Sequence, residues 1–174
     1  ALLYSEMGNK EKSIAAITES LTLFDKIFGS NHPRLANVHS KRAVIIFRSF
    51  DYNQAKADYE KAWNIISSLP SPPQKEQAIA LSGMARCYQA IGNFRKADSL
   101  YSKVLTIYGL EEKGDPNYLN TLNGLASSQQ DQGRWNDARS LIIRVKNILS
   151  KEPASHPQLL ANALENAALI NIRL

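Results

Sequence analysis

The single thiol, Cys87, and the three imidazoles, His32, His39 and His156, are the side chains of this 174-residue chain best equipped for nucleophilic or metal chemistry. None stands beside another at the intervals a tetrahedral metal site needs. Cys87 sits among Met84, Ala85 and Tyr88, which are the surroundings of a small core residue rather than of an activated thiolate. Neither a Gly-x-Ser-x-Gly turn nor a phosphate-cradling glycine loop occurs. No catalytic residue, cofactor or metal is therefore expected. The arginines offer another chemistry, since a guanidinium holds a carboxylate or phosphate through two parallel hydrogen bonds. Between Asp25 and Asp51 there is no acid, while Lys26, Arg34, Lys41, Arg42 and Arg48 supply five bases. That bias predicts a weak, salt-sensitive attraction for anions. The formal charge of +5 over the whole chain otherwise reads as ordinary solvated surface.

The elements that must position these groups repeat. Four turn-plus-helix starts align: Gly8 to Ser13, Phe50 to Ala55, Gly92 to Ala97 and Gly133 to Ala138. Ser13, Ala55, Ala97 and Ala138 are 42, 42 and 41 residues apart, the regularity of a repeat architecture. Small residues recur in the preceding helices at Ala1, Ala43, Ala85, Ala126 and Ala167, and three residues on come Tyr4, Ile46, Tyr88, Gln129 and Ile170. A small side chain at a fixed place lets two helices approach, and a large one beside it fills the gap. The helices that follow each turn carry an amphipathic face: Ser13, Ile17, Ser20 and Leu21; then Ala55, Tyr59, Ala62 and Trp63; then Ala97, Tyr101, Val104 and Leu105; then Ala138, Ile142 and Val145. Tyr101, Tyr108, Trp63 and Trp135 thus fall mostly at core places, which argues against an aromatic platform for nucleic-acid bases. Gly83 and Gly124, isolated within helices, predict close approach of one helix to another.

Gly8, Gly92 and Gly133 stand where a helix ends in a left-handed residue, and Phe50 stands in the same place. Phe50 is expected either to be strained there by about 1 kcal/mol or to take another path. Between repeats lie the linkers at 29–33, 70–73, 109–116 and 153–157, each containing proline. His32 and His156 precede prolines at helix starts, where the missing N–H costs little. The boundaries expected are a partial repeat over 1–29, repeats over 33–69, 73–109 and 116–151, and the first helix of a further repeat over 157–174. No stretch reaches the length of a membrane-spanning helix, and the start lacks the charged-then-apolar pattern of a secretory signal. Neither observation assigns a compartment, for which the cytoplasm is the default.

This pattern resembles the tetratricopeptide repeat, with its large–small–aromatic first helix, its glycine turn and its alanine-led second helix. The unit is longer than the usual 34 or so residues by roughly two helical turns, and is similar to the variety found in kinesin light chains. His32-Pro33, Asp115-Pro116, His156-Pro157 and Thr121 to Ala126 carry that likeness. It departs at Ser13, Phe50 and Lys146. The resemblance implies an all-α fold, an α-α superhelix built as a right-handed solenoid of antiparallel helical hairpins, with about 8 to 9 helices.

In such families the first helices line a concave groove. Carried over by register, the groove-facing places are Asn37, Ser40, Val44, Phe47 and Arg48, then Ile79, Ser82, Arg86, Gln89 and Ala90, then Asn120, Asn123, Ser127, Gln130 and Asp131. Amides can hold the backbone of an extended peptide whatever its sequence. The carboxylate clamp of some members is absent, since Val44 stands where an asparagine would be wanted. The expected function is a non-enzymatic protein–protein interaction scaffold that takes a peptide or helix of a partner, an acidic one given the basic bias. The alternatives are a regulatory segment of a larger signalling enzyme and a nucleic-acid-binding helical repeat. Val44, Arg86 and Ser127 share no chemistry at equivalent places, which disfavours an RNA code. The apolar helix over 157–174 and the mid-helix register of Ala1 predict a segment of a longer repeat protein, or end-to-end self-association through that helix.

Overall fold

The computed structural model describes residues 10–109, 114–151 and 156–173. Eight helices account for nearly all of them: α1 Lys10–Phe28, α2 Pro33–Phe47, α3 Tyr52–Ser67, α4 Gln74–Ala90, α5 Phe94–Tyr108, α6 Pro116–Asp131, α7 Trp135–Leu149 and α8 Pro157–Arg173. The Gly8 turn, Ala1 and Tyr4 lie outside the described residues. The helices that follow the turns start at Tyr52, Phe94 and Trp135, at the interval of the repeat.

Local chemistry explains the starts. The Nδ1 atom of His32 accepts from the Arg34 amide at 3.2 Å ahead of Pro33. Asp115 accepts from the Asn117 and Tyr118 amides at 2.8 and 3.2 Å, and Asp51 and Asn93 cap α3 and α5 in the same way. Each cap satisfies a donor that has no partner within its own helix. At the turns within hairpins, Gly92 and Gly133 have φ of 78° and 72°, and Phe50 has φ of 66°. Phe50 therefore does adopt the left-handed conformation, and strain is the outcome of the two expected.

The chain divides into two compact units, Ala1–Ile91 and Gly92–Leu174, with the division at the turn inside the third repeat. In the first unit, α1 to α4 enclose two apolar clusters. One holds Leu21, Leu35, Ala36, Ala62, Ile65, Ile66 and Ala80, and the other Ala43, Ile46, Ala55, Tyr59 and Cys87. In the second, Tyr118, Leu119, Leu122, Val145, Ile148, Leu149 and Leu159 form one cluster, and Ala126, Ala138, Ile142 and Ile170 another. The recurring small residues Ala43, Ala85, Ala126, Ala55, Ala97, Ala138 and Ser13 are fully buried, as an interior close-packed between helices demands.

Gly83 and Gly124 have one explanation. A Cβ on Gly83 would collide with the ring of Tyr59, and one on Gly124 would stand 2.7 Å from the ring of Tyr101. Both glycines lie two residues before a repeat alanine, and both tyrosines lie four residues after one. Where the preceding second helix carries Ile17 or Ile142 instead, the facing residue is Lys41 or Glu165. The glycine is thus paired to the tyrosine ring of the preceding hairpin, not to helix backbone.

Candidate binding surfaces

In the first unit the first-helix candidates fall on α2 and α4. Asn37 and Arg48 are exposed, Val44 is about one-third exposed, Phe47 is half-buried and Ser40 is buried. On α4, Ile79, Ser82 and Gln89 are half-buried, and Arg86 is exposed. The structure brings two of them together: the Arg86 guanidinium lies 4.7 Å over the Phe47 ring, a cation–π contact that holds both in place.

In the second unit the candidates lie on α6. Asn120 and Asp131 are exposed, Ser127 and Gln130 lie deeper, and Asn123 is buried to 8 % exposure. The Gln130 amide donates to the backbone oxygen of Asn166 on α8 at 3.4 Å, so this face adjoins the next first helix. Asn123 has neither its side-chain oxygen nor its nitrogen hydrogen-bonded. A buried amide left so costs about 1–3 kcal/mol unless something else satisfies it. At the same register α8 carries Ala161, Leu164, Ala168, Asn171 and Ile172, of which Leu164 and Ile172 are large, apolar and exposed. An amide-lined face therefore stands beside one that is apolar apart from Asn171. α8 also exposes Leu169.

A second constellation was not read from the sequence. Asp58 on α3 is buried to 2 % exposure and receives the Arg42 Nε and Nη2 atoms at 2.7 and 2.6 Å. The His39 Nδ1 atom stands 3.0 Å from the same carboxylate, and Arg42 Nη1 donates to Thr18 Oγ1 on α1 at 3.3 Å. Three helices are thereby tied together. Burial alone would raise the Asp58 carboxyl, but the hydrogen bonds from His39 and Arg42, with the charge of Arg42, outweigh it and hold the group below its ordinary value of 3.8. Arg42 is accordingly engaged within the fold, which removes one of the five bases expected to attract anions, and the Arg34 guanidinium lies 5.8 Å over the Phe28 ring. The signal was present in the register. His39, Arg42 and Asp58 take the places of Leu122, Leu125 and Leu141 in the fourth repeat.

Beside this cluster opens a cavity of about 480 Å³ between α1, α2 and α3. In the second unit a smaller one, about 200 Å³, lies between α7 and α8 near Ile143 and Lys146. Among the described residues no group of three or more His, Cys, Asp or Glu converges on a metal-sized site. Cys87 is fully buried, and burial pushes its thiol up to about 12, so it holds no reactive thiolate near neutrality. His156 Nε2 contacts the Gly114 carbonyl oxygen at 3.1 Å, in keeping with its place at a helix start.

The chain is similar to several known proteins. A family model described as tetratricopeptide repeat matches residues 34–109, and a second so described matches residues 1–26. A protein called uncharacterized protein ycf37 from Pyropia yezoensis is 31 % identical over 77 residues, 44 % of this chain and 39 % of that relative. The match thus spans well under half of that relative's length. Two solved structures of a putative kinesin light chain with nearly identical TPR-like repeats from Podosopora anserina, one of them a point variant, cover 98 % of this chain and 81 % of theirs. Their TM-scores are 0.79 and 0.77, with 19 % and 20 % identity. BtubC (BKLC) from P. vanneervenii matches over 94 % of this chain and 71 % of its own, at 17 % identity and a TM-score of 0.72. At these identities the likeness shows the fold, the all-α class of stacked helical hairpins.

Proposed function

From the premise that the chain belongs to the tetratricopeptide-repeat family, with repeats like those of kinesin light chains, we propose that it is a non-enzymatic scaffold holding an extended segment of a partner protein along its first-helix faces. Tetratricopeptide repeats mediate protein–protein interaction. The observation that carries the finer reading is the Asn123 amide, nine-tenths buried with both polar atoms lacking a protein partner. A primary amide offers one acceptor and two donors, which is what a peptide group presents in reverse. The apolar stripe of Leu164, Ala168 and Ile172 supplies anchors for side chains on one edge of such a segment. In the first unit the Phe47–Arg86 pair offers an apolar face topped by a cation, suited to an acidic or amide-rich stretch.

The test is selection of peptides from a random displayed library on the full chain, followed by affinity measurement with Asn123→Ala and Asn123→Leu. Both variants should bind selected peptides about tenfold more weakly, equivalent to roughly 1–1.5 kcal/mol, with helicity unchanged. The loss should be similar for peptides of unrelated sequence, because the contact is to backbone. Unaltered affinity across the set would move the binding face away from α6.

A further inference from the structure

The 480 Å³ cavity of the first unit has a filled counterpart in the second, and the counterpart shows what belongs in it. Leu35 lies eight residues before Ala43, and Tyr118 eight before Ala126. Tyr118 is 1 % exposed and sits in a cluster with Leu105, Ile148 and Leu149. The ring of Tyr108 meets it edge-on at 5.8 Å, and the Arg144 guanidinium lies 5.5 Å over its face. The same register positions in the first unit are Leu21 for Leu105, Ile65 for Ile148 and Lys61 for Arg144. All three line the cavity, with Leu35 beneath. The walls of an aromatic site are present, and the residue that would fill it is a leucine.

We infer that this cavity receives a tyrosine side chain from a partner polypeptide, which takes the place that Tyr118 fills in the second unit. The floor of Leu21, Leu35 and Ile65 is buried and apolar, and burying one aromatic ring there removes about 150–250 Å² of surface from water. Lys61 lines the cavity at the register place of Arg144, from which its ammonium can cover an inserted ring in a cation–π contact. The inner end differs from the second unit in a way that selects a phenol over a plain phenyl ring. Leu122, which clusters with Tyr118, is replaced by His39, whose Nδ1 atom is committed to Asp58. That leaves Nε2 as the imidazole atom for a hydroxyl to meet. At the rim Ser30, Asn31 and Asn64 offer donors and acceptors for the peptide groups that flank a side chain, which is why the occupant is a residue of a chain rather than a free ring. The site lies between the second helices α1 and α3 over α2, so it is separate from the first-helix faces and stands whether or not these bind a peptide.

The experiment titrates the isotope-labelled full chain with N-acetyl-tyrosine N-methylamide, with its leucine analogue and with free tyrosine, following backbone amide resonances. The tyrosine amide should shift Leu35, His39 and Lys61 saturably, and the leucine amide should bind at least about fivefold more weakly, since it lacks both the ring face and the hydroxyl. Leu35→Tyr, which supplies the ring from within, should abolish the shifts. Lys61→Ala should weaken binding by about threefold or more through loss of the cation over the ring. No saturable shift, or undiminished binding by Leu35→Tyr, overturns the inference, and tighter binding of free tyrosine overturns the choice of a polypeptide. Should Leu35→Tyr not fold, Lys61→Ala decides alone: Lys61 is exposed, and unchanged affinity there rejects the site.

Discussion

The second and fourth repeats present the same positions with opposite contents. In the fourth, Leu122, Leu125 and Leu141 are apolar, and Tyr118 shares a core cluster with Leu122 and Leu141. In the second, His39, Arg42 and Asp58 form a buried hydrogen-bonded cluster, Leu35 replaces the tyrosine, and a cavity remains. One backbone plan thus tolerates either interior, so folding alone does not require the ionic version. Buried ion pairs are expensive to desolvate and often no more stable than well-packed hydrophobic residues of similar size. Three coordinated departures from the repeat therefore set the interior of the second repeat apart from that of the fourth.

Removing one member of the cluster should have the largest effect. Asp58→Ala leaves Arg42 and His39 without their carboxylate in a largely buried place and should cost about 3–5 kcal/mol, seen as a lowered urea midpoint. The same group predicts the acid response. Its folded pKa lies below its unfolded value, so the unfolded chain binds more protons in that window. The contribution is in force above about pH 4 and is lost as pH falls through the folded value. Asp58→Ala should flatten the loss of stability on acidification, and an unaltered acid profile would show the carboxylate to be idle.

The Gly–Tyr pairs are the feature that the two units share, and equal effects are expected from them. Gly83→Ala and Gly124→Ala drive a Cβ into Tyr59 and Tyr101 and should each cost about 1–3 kcal/mol through overpacking. Combining Gly83→Ala with Tyr59→Ile, which copies the Ile17 and Lys41 combination in removing the ring, should recover part of that loss. A double variant no better than the single would refute the pairing. The smallest effect is expected at Phe50, where the second repeat has a side chain in the left-handed turn that glycine occupies at Gly92 and Gly133. Phe50→Gly should raise stability by up to about 1 kcal/mol, and thermal unfolding would register it.

Much of this was legible in the sequence because the repeat supplies its own alignment. The turns at Gly92 and Gly133 and the buried alanines follow from spacing, and the helix starts at His32 and Asp115 from the prolines that follow them. The Phe50 turn could be narrowed to two outcomes, and only coordinates decide between them. The His39–Arg42–Asp58 cluster escaped notice for a physical reason. Each polar residue taken singly reads as solvated surface, and the charge count even placed Arg42 among bases facing water. Only when positions on two helices are compared across repeats does it emerge that all three replace leucine. Asn123 was assigned to a first helix, but its burial comes from neighbours that spacing does not locate.

If the second repeat carries its ionic cluster for a purpose other than stability, the cluster should be replaceable without loss. The decisive quantity is the urea midpoint of the triple variant His39→Leu/Arg42→Leu/Asp58→Leu, which gives the second repeat the residues of the fourth. Stability equal to that of the natural chain, or higher by about 1–4 kcal/mol, is expected. A loss approaching that of Asp58→Ala would contradict this and return the cluster to the role of a structural clasp.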